Sequence, residues 1–480
     1  MKEKINKINN LFFIILPFLD IVTALMTRLI DLPISLGVII KGLYTISLAL
    51  YIILYSKGNE KKHFIYYLIS IIIYCLIFII TKPHLWNLTN LLKEIISLYK
   101  YLFTGFILFA YIVLYKNKDS KNKIEKTMFY TLICYTILLV LPAITNTGFN
   151  SYTAKPNSGT VGWFYAANEI SAIILMLFPF YFLKLKNKIE DKKYIYLLLV
   201  IPIIYSIYII GTKTSWYGLI LMSIVIFIIY LIKERKDKKL VLFTLLVAII
   251  PILLNNASPT SSNVDSHIES IYKDSTTTTT KKVDNTKKTT TKKIESREYE
   301  QNIEKEQISS NTDIAATNAD KDFKKCGKFH KLKELIPNKK IYRAIFVVLS
   351  GRENKAYTEL LIYKDTPIMN KLFGTGFIDS NLTNNCYIEK YIEIDLLDGL
   401  IHFGIIGIIL LLFPYFYLIK YIKNINLKKL DSNTLIYIFT FILMIGLSFV
   451  SGHILGYPTP SIYLNMLLIL IINNIENKKA

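Results

Sequence analysis

Apolar residues fill long, unbroken stretches of this chain, and the connections between them are short and dense in lysine. A helix needs about 20 apolar residues to cross a bilayer, and these stretches have that length instead of the roughly 4–8 residues of a buried strand. Read in windows of about 19 residues, the pattern gives twelve candidate spans, at roughly 11–30, 33–55, 64–81, 95–115, 127–146, 162–184, 194–211, 215–232, 240–254, 397–419, 434–451 and 459–473. Hydrocarbon offers the backbone no hydrogen-bond partners, so runs of this kind are helices. The pattern predicts an all-α, polytopic membrane protein with about twelve transmembrane helices. Its first run lacks a small-residue cleavage site, which predicts a retained helix in place of a signal peptide.

The chain is 52% hydrophobic yet carries a formal net charge of +22. Charge position sets orientation through the excess of Lys and Arg in short cytoplasmic loops. With the N-terminus inside, the seven inner segments hold 27 Lys or Arg, against five on the short outer connections: Arg28, Lys82, Lys93, Lys155 and Lys213. Both termini are therefore expected in the cytoplasm. Because the charges are spread over many loops and form no single basic face, a nucleic-acid partner is not expected.

About 140 residues separate the ninth and tenth spans. This large extracytoplasmic loop is expected to be partly ordered. The expected organisation is residues 1–254 as spans one to nine, 255–322 as a flexible insert with TTTTTKKVDNTKKTTTKK at 276–293, 323–396 as an ordered segment, and 397–480 as the last three spans. Cys75 and Cys134 fall in spans, whereas Cys326 and Cys386 fall in the loop and could pair in an oxidising compartment.

A charge at mid-bilayer costs roughly 2.5–3.5 kcal/mol on insertion scales, so charged residues inside spans need partners. Asp20 and Lys41 lie in adjacent spans and are expected to form a structural intramembrane pair. Lys213, in the polar turn GTKT, either snorkels to head groups or offers a cation to phosphate. Arg352, after a glycine in LSGRE, carries a fork suited to two-pronged phosphate recognition.

In YIEKYIEIDLLDGLIHFGIIG, residues 387–407, helical spacing places Tyr391, Asp395, Asp398 and His402 on one face, with Glu389 and Glu393 pointing elsewhere. Acidic groups suit a helix start, but a carboxylate on the edge of an apolar run is also a candidate base. His453, between small residues in SGHILGYP, is either a structural hydrogen-bond partner or a catalytic group. KLFGTGF lacks the third glycine of a dinucleotide loop, and the six scattered His suggest no metal site. No cofactor is expected.

Taken in order, GWFYAANE (162–169), GTKTSWYG (211–218), LSGRE (349–353), LFGTGF (372–377), the acidic run Glu393 to Asp398 before FGIIG, and GHILGYP (452–458) resemble the O-antigen ligase and polymerase superfamily of bacterial membrane glycosyltransferases. The resemblance covers most of the chain. It is closest to the branch from bacteria lacking an outer membrane. It implies a helical, glycosyltransferase type C-like fold that acts at the outer face on glycans carried by undecaprenyl diphosphate, by an inverting displacement without bound metal. It also implies Lys213 and Arg352 as diphosphate contacts, Lys213 standing where relatives often have Arg. Glu393, Asp395, Asp398 and His453 are the candidates for the base; the loop His of the ligases has no clear counterpart. The expected activity is polymerisation of lipid-linked repeat units into a surface polysaccharide. Donor and acceptor glycolipids, membrane lipids and polysaccharide-assembly proteins are the expected partners. Ligase-like transfer to another acceptor, a lipid-linked sugar flippase and a non-catalytic scaffold are the alternatives.

Overall fold

A computed structural model describes residues 2–30, 35–115, 121–152, 159–190, 195–265, 335–336, 338–377, 392–422 and 429–479. The Thr/Lys-rich run, Cys326, Cys386, Glu389 and Tyr391 lie outside the described residues.

The first half contains α1 (Lys2–Leu29), α2 (Leu36–Tyr55), α3 (Asn59–Ile80), α4 (Leu88–Tyr115), α5 (Lys121–Ile144), a hairpin of β1 (Phe149–Asn150) and β2 (Thr160–Gly162), α6 (Ala167–Glu190), α7 (Ile195–Leu198), α8 (Val200–Ile210), α9 (Lys213–Lys233) and α10 (Lys238–Leu253). The second half contains α11 (Lys339–Leu349), α12 (Arg352–Lys364), α13 (Ile368–Phe373), α14 (Asp395–Ile422), α15 (Ser432–Val450) and α16 (Pro458–Lys479). Among the described residues, ten helices are long and apolar enough to cross a membrane. The protein is an all-α polytopic membrane protein. The seventh expected span is divided between α7 and the 11-residue α8, and the ninth is α10, of 16 residues; neither α8 nor α10 is long. At 1.5 Å per residue they reach about 16 and 24 Å, short of a hydrocarbon core of about 30 Å.

The centre of the bundle is α16, buried along its whole apolar window, with α4 and α6 buried over most of theirs; α1, α2 and α3 present most of their surface outward. α4 packs against both α14 and α16, and α6 against α5, α9 and α16. Pro17, Pro142, Pro179, Pro251 and Pro414 lie inside helices, as membrane helices allow when neighbours satisfy the freed backbone.

One break organises the second half. α14 loses helical geometry at Gly404 (φ 72°), freeing carbonyls at membrane depth. LFGTGF fills the gap. The Ile401 carbonyl accepts from the Thr375 N–H at 2.9 Å, the His402 carbonyl from the Gly376 N–H at 3.0 Å, and the Phe403 carbonyl from the Tyr74 hydroxyl at 2.6 Å. The Phe377 N–H is taken by both oxygens of buried Glu94, at 2.8 and 3.0 Å. Lys82 lies beside Glu94, its amine 3.6 Å from the centre of the Phe78 ring, and burial lowers its pKa to about 8. This is the arrangement that irregular backbone inside a membrane protein requires. Two glycines make it possible. A Cβ on Gly374 (φ 82°) would sit 2.1 Å from the His402 carbonyl oxygen, and one on Gly404 would sit 2.3 Å from the Gly374 nitrogen.

Gly374→Ala is therefore expected to destabilise the protein by more than about 2 kcal/mol, since it combines a left-handed φ with a backbone clash. Gly446, mid-helix in α15, has nothing within 4 Å of such a Cβ. Gly446→Ala is expected to be neutral or stabilising by up to about 1 kcal/mol. Thermal unfolding of the purified variants in detergent checks both; equal midpoints would contradict the assignment.

Candidate active site

The site begins at two turns. α8 ends at Gly211 (φ 74°), and Thr212 caps α9 by accepting the Ser215 N–H at 3.1 Å, which fixes Lys213 as the first helical residue. α11 ends at Leu349, and the left-handed pair Ser350 (φ 56°) and Gly351 (φ 88°) turns the chain so that Arg352 opens α12. The two turns are tied together. The Lys213 amine donates to the Val347 carbonyl at 2.8 Å and to the Ser350 hydroxyl at 3.0 Å. Lys213 also lies within electrostatic range of Arg352.

Arg352 donates from Nε to Glu393 Oε2 at 3.0 Å, adds a second N–H to the same oxygen, and uses Nη1 on the Leu349 carbonyl at 3.2 Å. The same Glu393 oxygen is 3.8 Å from His453 Nε2. Glu393 and His453 both have left-handed backbone, at φ 65° and 63°. Each conformation is held by one aspartate. Asp398 accepts the N–H groups of Ile392, Glu393 and Ile394 at 2.8, 3.0 and 3.2 Å. Asp395 accepts those of His453, Ile454 and Leu455 at 2.8, 2.9 and 2.7 Å. Gly452 closes the junction, where a Cβ would lie 2.6 Å from the Glu393 carbonyl oxygen. Among the described residues, four non-glycine positions have positive φ, and three of them (Ser350, Glu393 and His453) belong to this cluster. Such conformations persist only where their surroundings over-determine them, and they gather at functional sites.

Lys213, Arg352, Glu393, Asp395, Asp398 and His453 thus form one continuous chain of contacts. α14 starts at Asp395, so Asp395, Asp398 and His402 keep the i, i+3, i+7 spacing of one helical face, Glu393 lies in the preceding turn, and Tyr391 lies outside the described residues. The partners of the three differ. Asp395 faces the 453–455 turn, Asp398 reaches back to 392–394, and His402 Nδ1 lies 3.0 Å from the Gly376 carbonyl in LFGTGF.

Electrostatics follow from this packing. Burial pushes the Glu393 carboxyl up, but the neighbouring His453 and Arg352 outweigh it and hold it well below its ordinary 4.5. Burial pushes the His453 imidazolium down, but Glu393 and then Asp395 outweigh it and raise it above 6.5. Buried Glu353 is raised by desolvation, and its Oε2 has no hydrogen-bond partner among the described residues.

A second polar cluster lies beside the first. Asp20 and Lys41 meet at 2.8 Å; Thr459, in the first turn of α16, receives the Lys41 amine at 2.6 Å and donates to Asp20 at 3.1 Å. The Tyr135 hydroxyl reaches the other Asp20 oxygen at 3.3 Å. Glu169, in the first turn of α6, lies within electrostatic range of Asp20, Lys41, Lys100 and His453, so His453 links the two clusters. Lys100 and Glu169 were not among the candidates read from sequence. The signal was present, since Lys100 interrupts the apolar run 95–115 as Lys41 interrupts its own, and Glu169 ends the quoted GWFYAANE.

Residues 2–478 match the family model described as O-antigen ligase like membrane protein. The chain belongs to that family. No curated protein and no solved structure matches it. Membership makes this O-antigen ligase like protein a multi-pass membrane enzyme of glycosyl transfer, with lipid-linked glycans as its substrate class.

Replacing either aspartate acceptor with Asn would turn an amide donor toward three backbone donors. Asp395→Asn and Asp398→Asn are each expected to cost about 2–4 kcal/mol, read as lower unfolding midpoints in detergent. The Glu393–His453 pair also gives stability a pH dependence. The depressed Glu393 value contributes stability that is present above about pH 4.5 and lost as pH falls through its folded value. The raised His453 value contributes stability that is complete below about pH 6.5 and lost as pH rises through its folded value. Unfolding midpoints should therefore plateau between about 4.5 and 6.5 and fall on both sides. His453→Gln should flatten the alkaline limb.

Proposed function

We propose that the protein polymerises lipid-linked oligosaccharide repeat units into a surface polysaccharide, taking each donor from a polyprenyl diphosphate, undecaprenyl diphosphate in the expected case, at the outer face of the cell membrane. The observation that carries this reading is the junction of Arg352 and His453 on one Glu393 oxygen, with Lys213 tied to the Arg352 turn through Ser350. Three basic groups drawn from three distant parts of the chain, held by strained turns, suit a leaving group with two or more negative charges. Arg352 supplies the fork and Lys213 a point charge at a helix start, where backbone N–H groups add to the field. Asp395 and Asp398, with both oxygens used by backbone donors, position the turns that present His453 and Glu393.

In the reaction, an acceptor hydroxyl attacks the anomeric carbon of the donor glycan. The new C–O bond forms as the bond to the diphosphate breaks, and its electron pair leaves with the phosphate oxygen. The cations stabilise that charge. The seven basic inner segments support an orientation with both termini in the cytoplasm and this site on the outer face. A flippase would need no cluster of this kind confined to one end of the bundle.

Removing one such cation is expected to cost roughly 10²–10³ in turnover. Arg352→Ala and Lys213→Met should therefore abolish long-chain polymer at normal protein level, with single repeat units accumulating on the outer leaflet. Accumulation on the inner leaflet would instead identify a flippase. A wild-type enzyme that moves a finished glycan to a non-lipid acceptor, without extending it, would establish the ligase-like reaction.

A further inference from the structure

Each carboxylate of the acidic run already has partners. Asp395 and Asp398 each spend both oxygens on backbone N–H groups, and one Glu393 oxygen takes two Arg352 donors while lying 3.8 Å from His453. A carboxylate held below its ordinary pKa by cations is a weak proton acceptor. Glu353 has an oxygen with no hydrogen-bond partner among the described residues, but that oxygen is sealed from solvent. Glu393 outweighs burial and raises the His453 pKa above 6.5, which suits a cation better than a base.

Glu169 differs from all of these. Its side chain is half-buried, and among the described residues no group hydrogen-bonds to it and no cation forms an ion pair with it. It nevertheless lies within electrostatic range of Asp20 on α1, Lys41 on α2, Lys100 on α4, Tyr135 on α5 and His453 in the turn before α16. Asp20 is held by Lys41 and Thr459, so the second cluster is itself fixed in place. The turn before Glu169 is also fixed, since Gly162 approaches α5 so closely that a Cβ would meet the Leu138 carbonyl at 2.7 Å. A carboxylate with free lone pairs, beside a group that touches the diphosphate site, has what a general base needs.

We infer that Glu169 is the general base that removes the proton from the acceptor hydroxyl, a role that rests on the glycosyl-transfer reading above. The hydroxyl proton passes to a Glu169 oxygen as the hydroxyl oxygen bonds to the anomeric carbon; the diphosphate leaves with the electron pair of the broken bond, and Glu169 then returns its proton to water. Lys100 and Lys41 balance the carboxylate between turnovers. Division of labour follows, with His453, Arg352 and Lys213 on the leaving group and Glu169 on the nucleophile.

The test uses the full chain in nanodiscs with a polyprenyl-diphosphate-linked oligosaccharide as donor and acceptor. Wild type must release polyprenyl diphosphate with glycan extension; if it does not, the glycosyl-transfer reading fails before the base is in question. Given wild-type turnover, Glu169→Gln is expected to lose roughly 10²–10⁴-fold in rate. It should keep the wild-type unfolding midpoint and donor binding measured by native mass spectrometry. Glu169→Asp, which keeps the carboxylate, should recover part of the rate. The acid limb of the pH–rate profile should vanish from the residual activity of the Gln variant. Turnover of Glu169→Gln within about threefold of wild type, or a residual profile that keeps the acid limb, would overturn the assignment. A parallel fall in donor binding and rate would overturn it as well, by making Glu169 a binding residue.

Discussion

Six backbone N–H groups converge on two carboxylates at the start of α14, and the geometry of the site depends on that convergence. Asp398 collects the three donors of the turn before the helix, and Asp395 collects three from the turn that precedes α16. At the margin of an apolar bundle, each donor would otherwise cost roughly 1–3 kcal/mol in lost hydration. A short acidic side chain is the most compact way to satisfy three adjacent amides. The two turns are forced together because both acceptors lie one helical turn apart on one helix. Glu393 and His453 then meet as a consequence of backbone hydrogen bonding.

The same economy runs through the rest of the membrane part. Lys41 is neutralised by Asp20 and fixed by Thr459, so an otherwise costly charge becomes a tie between α1, α2 and the start of α16. The carbonyls exposed where α14 breaks are taken up by LFGTGF and by Tyr74. In each place a polar group at depth is matched by a partner from a distant part of the chain. Long-range pairing of this kind positions α16, the most enclosed helix, against the loop segments that carry Arg352.

Much of this was legible in the sequence. Apolar run length gave the spans, because only helices satisfy a lone backbone in hydrocarbon, and charge inside those runs marked Asp20 and Lys41. The same rule applied to Lys100 would have added it to the second cluster. Helical phase served for Asp395, Asp398 and His402, which lie in one helix, but it did not show where that helix begins. The Asp398 carboxylate stops it from beginning before Asp395, and that is a tertiary and local hydrogen-bond effect with no periodic signature. α8 was counted as a full span because the apolar composition begins earlier, in the stretch that folds as the separate short α7, and the break between the two has no signature in composition.

Composition also ranks carboxylates poorly. Glu393, Asp395, Asp398 and Glu169 are alike as acids in the sequence, and three of them stand within six residues of one another. What separates them is the fate of their oxygens. A carboxylate whose lone pairs are filled by amides holds structure, and one bridged by a guanidinium and an imidazole sets charge. Only one with lone pairs still open can accept a proton from a substrate. On the proposed reading, function in this bundle is assigned by subtraction: each acid used to brace the backbone or restrain a cation is withdrawn from chemistry, which leaves Glu169, within electrostatic range of His453, as the proposed base.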